Sequence, residues 1–211
     1  EKVDVIRLLA NTFAVSAVSA SGQLLVALLA SYAFAMYSFR FQRLLYLAFV
    51  GTWLVPFQVT MLPNYVLLYQ LGLINNLAGV IVPTLCSALG VLMLRQHMAS
   101  FPKELVAAAK MDGRSSWSIL WTVVVPNLRP ALAALSILLF INAWNEYFWP
   151  AVVLQRSNSV VQLGLRRFMG TEGNDWGPMM AVAGLACLPV FALYVVLQRH
   201  IVKAFVRSGL K

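Results

Sequence analysis

Charged residues are scarce in this sequence: only 11% of its 211 residues are Asp, Glu, Lys or Arg, against about a quarter in soluble domains. Acidic side chains are the rarest, with 7 against 16 basic ones, while hydrophobic residues make up 61%. The mean hydropathy is +0.78. This composition excludes an ordinary soluble domain and predicts an all-α polytopic membrane protein.

Catalytic and metal-binding patterns are missing as well. The sequence has no Walker loop, no Ser/His/Asp arrangement and no His/Cys cluster, so we expect no enzyme activity, metal or cofactor in the chain itself. Its two cysteines, Cys86 and Cys187, lie inside apolar runs, which predicts small buried side chains without a disulfide framework. The net charge of +9 predicts lipid headgroups as partners, not nucleic acid, because the basic residues flank apolar runs.

The uncharged runs are long enough for five transmembrane helices. A bilayer needs about 20 apolar residues per helix, and 32 uncharged residues separate Arg7 from Arg40, while 51 separate Arg43 from Arg95. The second run is predicted to break at Pro63-Asn64, with kinks at Pro56 and Pro83. The predicted spans are about 16–39, 44–62, 77–98, 130–153 and 177–198.

The distribution of basic residues sets the predicted orientation of these spans. If the C-terminal tail is cytoplasmic, eleven of the sixteen Lys and Arg residues are cytoplasmic and five are not, which the positive-inside rule favours. We therefore expect a single domain of residues 1–211 with a cytoplasmic loop at 99–128. An outside start leads us to expect that one preceding span is absent from this sequence.

The loop between Arg95 and Arg129 has the signals of a helical hairpin. Ser100 is a candidate cap for a helix that accommodates Pro102 in its first turn, and Gly113 is placed to end that helix. Ser115 or Ser116 is a candidate cap for a second short helix towards Pro126. The first helix is predicted to have one face composed of Leu105, Ala108, Ala109 and Asp112. Such a hairpin is either an interfacial loop with tryptophans at headgroup level or a docking surface for a partner.

The hairpin residues also resemble a known motif. Ala107-Ala-Ala-Lys-Met-Asp-Gly113, nine residues and Val123-Val-Val-Pro126 are similar to the EAA loop of binding-protein-dependent ABC importer permeases, which is Glu-Ala-Ala, three residues, Gly, nine residues and Ile-x-Leu-Pro. Ala108, Ala109, Gly113 and Pro126 match in register, and Asp112 is usual there. Ala107 stands where the family has its glutamate, and Glu104 lies three residues earlier.

Further motifs extend the resemblance over the whole chain, to the maltose-type carbohydrate permeases. They are Ala30-Ser-Tyr-Ala-Phe-Ala35, Pro63-x-Tyr65, Leu71-Gly-Leu-Ile-Asn75, Trp144-Asn-Glu-Tyr-Phe-Trp-Pro150 and Gln198-Arg-x-Ile-Val-Lys203. The resemblance implies a six-span fold, a sugar or oligosaccharide as cargo, and a loop helix that couples to a cytoplasmic ATPase. The implied partners are a second related permease subunit, two ATPase subunits that bind ATP and magnesium, and an extracytoplasmic substrate-binding protein.

A second candidate region surrounds Glu146, the only acid within an apolar span. Intramembrane charge is costly and is a functional hypothesis by default. Helical spacing places Asn142, Asn145, Glu146 and Trp149 on one face, where a hydroxyl-rich substrate would find hydrogen bonds and Trp144 or Tyr147 would stack on it. Alternatively, Glu146 pairs with Arg156 or Arg167 at the outer interface.

Two functional alternatives remain open from the sequence. The chain could be a secondary transporter or channel driven by an ion gradient, with Glu146 as the ion site. A glycerol phosphodiester is the alternative cargo, because close relatives of sugar permeases carry one.

Overall fold

The structure, a computed structural model, describes residues 4–155, 158–169 and 175–208. Over these residues it is almost entirely helical, which confirms the all-α prediction. The α-helices are α1 (Val5–Met36), α2 (Gln42–Gly51), α3 (Phe57–Gln70), α4 (Leu77–Ile81), α5 (Ala88–Ala99), α6 (Lys103–Met111), α7 (Ser116–Ile119), α8 (Val125–Asn145), α9 (Phe148–Val153), α10 (Val161–Leu165) and α11 (Trp176–Ser208). Short 3-10 helices cover Thr52–Leu54, Val82–Thr84 and Arg166–Phe168, and a π-helix covers Leu120–Val124.

Three helical segments are long and apolar enough to cross a membrane: Val5–Met36, Ser116–Val153 and Trp176–Val196. Two helix pairs with a short break, Gln42–Leu54 with Phe57–Gln70 and Leu77–Thr84 with Ala88–Ala99, raise the number to five if each pair is one span. This agrees with the five predicted spans, counted over the described residues.

The predicted bounds of the second span are wrong. The helical run breaks at Pro56, which precedes α3 with an extended ψ of 135°, whereas Pro63 lies inside α3. A residue before proline is pushed out of the helical region, so the chain turns at Val55. Pro63 removes one backbone hydrogen bond from α3, which nevertheless continues to Gln70 and is followed by a left-handed glycine, Gly72, with φ 67°.

The fourth span also differs from its predicted bounds. Helical structure continues without a loop from Ser116 through the π-helix into α8, so the second hairpin helix is the beginning of this span. The span then breaks at Glu146 and Tyr147, and its last residues form the separate helix α9. The kink predicted at Pro83 corresponds to the 3-10 turn Val82–Thr84 between α4 and α5.

The described residues group into two compact units, each assembled from separated stretches of chain. The first unit comprises Glu1–Gln23, Val55–Cys86 and Ile137–Val196. Its main cluster of buried residues includes Val15, Leu68, Val80 and Trp149, and α9 packs against α3 and α4. A second cluster joins Leu8 to α10 and α11 through Val161 and Val182.

A network of polar side chains fixes the 158–161 segment within this first unit. The Asn11 amide donates to the Ser159 carbonyl at 3.0 Å, and the Val161 N–H donates to the Thr12 hydroxyl at 2.8 Å. The Asn158 amide donates to the Asn75 carbonyl at 2.7 Å. These bonds satisfy backbone groups that would otherwise be buried without partners.

The second unit comprises Leu24–Leu54, Ser87–Ser136 and Leu197–Lys211. In it, the Ser31 hydroxyl donates to the Val91 carbonyl at 2.9 Å, which joins α1 to α5. A Cβ added to Gly90 would lie 3.0 Å from the Cβ of Ala27, so the two helices approach closely because Gly90 has no side chain. Helix α2 packs against α5 as well.

The predicted burial of the two cysteines is wrong. Both Cys86 and Cys187 are free thiols exposed on the surface of the chain. An apolar run in a membrane protein has faces that contact lipid or other subunits, so a small apolar side chain in such a run need not be buried in its own chain.

Candidate functional site

The hairpin, defined here as Lys103–Val124, is a capped and rigid structure. Gly113 adopts φ 75°, a conformation that costs other residues energy because of their Cβ. The Gly113 N–H donates to the Lys110 carbonyl and the Arg114 N–H to the Ala109 carbonyl, which is the Schellman pattern of helix ends. Both the helix stop at Gly113 and the cap at Ser115 are confirmed, since the Ser115 hydroxyl accepts from the Ser118 N–H at 3.3 Å.

The prediction that Ser100 caps the first helix of the hairpin is wrong. Ser100 follows the last residue of α5, and its hydroxyl donates to the Gln96 carbonyl at 3.3 Å. Helix α6 begins two residues after Phe101, with Pro102 in the N-cap position and no side-chain cap. Proline already has the φ value that a helix start requires.

The predicted face of α6 is mostly exposed, and a different set of residues is buried. Val106 and Ala109 are buried, whereas Leu105 and Asp112 are exposed. Helix α6 packs through its buried face on α7 and the π-helix, where Ile119 is fully buried. The predicted face is therefore exposed, apart from Ala109.

The residues of the sequence motif consequently have different environments. Glu104, Ala107, Ala108 and Asp112 are exposed on α6, and Gly113 is exposed at the turn. Ala109 is buried, and Pro126 is half-buried in the first turn of α8. The outward surface is apolar as well as charged: Met111 is 89% exposed and Trp117 is 61% exposed. An exposed, rigid and partly apolar surface of this kind is suited to protein docking.

A side-chain clasp stabilises the exit of the turn. The Arg114 guanidinium donates to the Thr122 hydroxyl at 3.0 Å, and that hydroxyl donates to the Ser118 carbonyl at 2.7 Å. Trp117 and Trp121 contact each other edge to face, with ring centroids 5.6 Å apart. The π-helix lies within this region, and such wide turns often occur at functional sites.

A cleft of about 120 Å³ lies within the first unit. Three elements line it: α1, the stretch from α4 to Thr84, and the end of α8. The lining residues are Val15, Ser19, Gln23, Val80, Thr84, Leu139, Asn142, Ala143 and Glu146. It therefore combines hydroxyl, amide and carboxylate groups with aliphatic side chains, which is the mixture expected of a site for a polar neutral solute.

Glu146 caps a helix. Its Oε1 accepts from the Phe148 N–H at 2.8 Å and from the Trp149 N–H at 3.2 Å, which satisfies two free donors at the start of α9. The carboxylate also benefits from the positive end of the helix dipole. Of the arginines predicted to pair with Glu146, Arg156 lies outside the described residues.

The aromatic residues of this segment are divided between the core and the surface. Trp144 is 2% exposed and stacks on Phe140 with ring centroids 5.7 Å apart, so stacking on a substrate would require it to leave the core. Tyr147 is half-buried and accepts a hydrogen bond from Arg166. Because α8 ends at Asn145, Trp149 does not share the helical face of Asn142.

Trp149 is a structural anchor. Its indole N–H donates to the Gly79 carbonyl at 3.1 Å, and its ring contacts Phe57 edge to face at 5.5 Å. A Cβ on Gly79 would lie 2.3 Å from the Leu73 carbonyl oxygen, so only glycine lets the start of α4 lie this close to the Leu73 backbone. Asn145 was also predicted to line the substrate path. It is exposed, and its amide donates to the Ile141 carbonyl at 3.0 Å.

The sequence prediction did not include Ser19, Gln23 and Thr84 of the cleft. Ser19 and Gln23 lie four residues apart on α1, so they share one helical face. Two polar residues at that spacing within an apolar span were the signal that could have identified them. In the described part of the chain, no three His, Cys, Asp or Glu side chains could together hold a metal ion.

Comparisons with known proteins agree with this geometry. A family model described as "Binding-protein-dependent transport system inner membrane component" matches residues 23–207. The arabinooligosaccharides transport system permease protein AraQ of Halalkalibacterium halodurans is 32% identical over 203 residues, 95% of this chain and 72% of the relative. The lactose transport system permease protein LacG of Rhizobium radiobacter is 32% identical over 208 residues, 98% of this chain and 76% of the relative.

Two further comparisons extend this set. The sn-glycerol-3-phosphate transport system permease protein UgpE of Rhizobium meliloti is 32% identical over 206 residues, 96% of this chain and 73% of the relative. The crystal structure of a bacterial ABC transporter involved in the import of the acidic polysaccharide alginate matches with a TM-score of 0.83 at 24% identity. That match covers 95% of this chain and 76% of the other, and it shows a common fold.

Proposed function

The chain belongs to the family of binding-protein-dependent transport system inner membrane components, and we propose that it carries a sugar or oligosaccharide as one of two related permease subunits. Membership makes it a multi-pass inner-membrane permease of an ABC importer, which works with an ATPase and a substrate-binding protein. The proposed assembly adds two ATPase subunits, which bind the ATP and magnesium, and an extracytoplasmic binding protein.

The cleft supports a neutral cargo. Its polar lining consists of Ser19, Gln23, Thr84, Asn142 and Glu146, and none of its lining residues is basic. A phosphate ester would meet the Glu146 carboxylate without a compensating cation, which is unfavourable because the two negative charges repel each other. Hydroxyl groups can both donate to that carboxylate and accept from the amides. The names of the arabinooligosaccharide and lactose relatives support the same class, and that of the glycerol 3-phosphate relative supports the alternative.

The hairpin is the proposed docking element for the ATPase. This proposal rests on one observation: Met111 and Trp117 are largely exposed on a helix pair whose turn is fixed by Gly113 and Ser115. ATP-driven movement of the ATPases displaces this hairpin and switches the path between outside and inside access. The excess of Lys and Arg on the loop and tail supports a cytoplasmic position for both.

Ala107 gives this docking a specific chemistry. It is exposed on α6 where an EAA loop has glutamate, so the contact there is apolar and depends on shape. Leu105, Ala108 and Met111 are exposed on the same helix. The matching surface of the ATPase is therefore proposed to be an apolar cleft.

Uptake by the reconstituted transporter tests the cargo. Proteoliposomes would contain this chain, its related permease and the ATPase, with the binding protein added outside, and would be offered labelled arabinotriose, lactose or glycerol 3-phosphate. We expect ATP-dependent uptake of one of the two neutral sugars. Uptake of glycerol 3-phosphate alone would overturn the proposed cargo, and uptake that needs an ion gradient without ATP would overturn the coupling.

A further inference from the structure

We propose that Tyr32 is a positioning residue that links the hairpin to α1, so that displacement of the hairpin moves the membrane helices. The proposal rests on the proposed coupling function of the hairpin. Tyr32 is only 7% exposed, and its hydroxyl donates to the Ser116 carbonyl at 3.1 Å across 84 positions of sequence. Ser116 is the first residue of α7, directly after the turn, so the bond holds the hairpin where its second helix begins.

The Ser116 carbonyl is able to accept this additional bond. It also accepts from the Leu120 N–H, which shares its hydrogen with the Trp117 carbonyl at the entry to the π-helix. A carbonyl oxygen has two lone pairs, so the Ser116 oxygen can accept from the Leu120 N–H and from the Tyr32 hydroxyl at the same time. Removal of the Tyr32 hydroxyl therefore leaves the Ser116 carbonyl with a partner, and the fold should tolerate it.

A second tyrosine extends the link to α6. The ring of Tyr37 contacts the ring of Tyr32 edge to face, with centroids 5.7 Å apart. The ammonium group of Lys110 lies 5.8 Å from the centre of the Tyr37 ring, within the range of a cation–π interaction. Lys110 is in the last turn of α6. The two tyrosines thus contact the hairpin on both sides of Gly113.

The end of α1 that carries these tyrosines is fixed to other helices of the second unit. The Ser31 hydroxyl binds the Val91 carbonyl of α5, and the Gln42 amide of α2 donates to the Phe34 carbonyl at 2.7 Å. A force applied at Tyr32 would therefore act on α1, α2 and α5 together. The same helix α1 carries Ser19 and Gln23 of the cleft.

Besides the packing of buried side chains such as Ile119 and Val124, the chain itself joins the hairpin to the neighbouring helices at two places. One is the short connection between α5 and α6, and the other is the π-helix, whose hydrogen-bond geometry departs from that of an α-helix. Tyr32 adds a direct, partly buried side-chain hydrogen bond between α1 and the first residue of α7.

Transport by the reconstituted complete transporter tests the proposal through Tyr32→Phe, with Tyr69→Phe as the matched control because Tyr69 is exposed in the first unit. We expect Tyr32→Phe to lower the substrate transported per ATP roughly fivefold, the equivalent of one hydrogen bond. The KM for ATP and co-purification of the ATPase should not change. Tyr69→Phe should behave as the unmodified chain.

Two outcomes would overturn the role of Tyr32. One is an unchanged ratio of substrate to ATP in Tyr32→Phe. The other is an equal fall of transport and ATP hydrolysis together with a lower melting temperature, because a merely structural residue would give that result. Gly113→Leu separates this proposal from the proposed function. If transport stays coupled to ATP hydrolysis in Gly113→Leu, the docking function of the hairpin is rejected. If Gly113→Leu uncouples transport and Tyr32→Phe has no effect, only the tyrosine link is rejected.

Discussion

The hairpin and the segment from Trp144 to Pro150 both carry residues of a recognisable sequence motif, and they use these residues in opposite ways. In the hairpin, Ala107 and Ala108 face outward, and the left-handed turn at Gly113 is exposed. In the other segment, Trp144 and Trp149 are buried, and Glu146 caps α9. The first motif therefore lies mostly on the surface, where we propose that it contacts a partner, while most of the second builds the chain's own fold.

This difference shows that a motif match alone does not identify a binding site. Trp149 binds the Gly79 carbonyl and contacts Phe57, so its role is explained within the chain. Met111 is exposed at the end of α6, so its contacts within the chain do not explain its role, and we propose that it contacts the ATPase. Substitutions should consequently change stability in one region and coupling in the other.

The largest expected effect is on stability. Trp149→Ala should lower the free energy of unfolding by about 3–5 kcal/mol, as for other buried aromatic residues. Trp117→Ala is the matched change in the hairpin and should cost only about 1 kcal/mol, because the side chain is exposed and loses mainly its edge-to-face contact with Trp121. Denaturant unfolding of the purified complex measures both, and similar losses for the two variants would contradict the division between the regions.

The next effect is on coupling and depends on backbone conformation. A Cβ at Gly113 meets no atom within 4 Å, but its φ of 75° disfavours a bulky side chain by about 1–2 kcal/mol. Gly113→Leu should therefore reduce substrate-stimulated ATP hydrolysis about tenfold. Gly113→Asn should retain most of it, since asparagine tolerates this conformation. Equal impairment of the two variants would show that the size of the side chain at position 113 matters and that the backbone conformation does not.

A smaller effect distinguishes a helix cap from an ion site at Glu146. Glu146→Ala should destabilise the chain by about 1 kcal/mol, the typical value of an N-cap. Glu146→Gln retains an acceptor oxygen and should keep transport within about threefold of the unmodified chain. Abolished transport in Glu146→Gln with a normal melting temperature would favour the ion-gradient alternative. Uptake in proteoliposomes and thermal unfolding provide the two readouts.

The smallest effect concerns position 107, where this chain has alanine and the EAA loop has glutamate. Ala107→Glu places a carboxylate on the exposed face of α6 and should change stability by less than about 0.5 kcal/mol. It should change the affinity for the ATPase by no more than about fivefold, since exposed ion pairs contribute little. Ala109→Glu is the control, because a charge at this buried position should unfold the hairpin. Titration of the ATPase into nanodiscs with each variant measures the affinities.

Much of the fold follows from local signals in the sequence. Long uncharged runs identified the membrane helices, and Gly113 and Ser115 were identified because a left-handed turn and an N-cap have strong residue preferences. The break at Pro56 was not predictable in the same way. Pro56 and Pro63 have the same local chemistry, and only the packing of α3 decides which of them ends a helix.

The candidate sites were predictable only in part, because helical faces overlap. The spacing in α6 places Leu105 and Ala108 on one face, but it does not tell whether that face or the one with Val106 is buried. Near Glu146 the prediction extended one helix through Trp149, but α8 ends at Asn145 and a new helix begins. Burial of Trp144 follows from contacts with Phe140 that the spacing does not reveal.

Cross-linking between Ala107 and the ATPase tests the docking surface most directly. Ala107→Cys and the control Gly177→Cys would be made in a chain with Cys86→Ser and Cys187→Ser, because both native thiols are exposed. Gly177 has open space at the start of α11. Docking of the hairpin predicts that a short bifunctional reagent joins Ala107→Cys to the ATPase, that ATP changes the yield, and that Gly177→Cys gives no such product. Cross-links to the ATPase from Gly177→Cys and none from Ala107→Cys would contradict it.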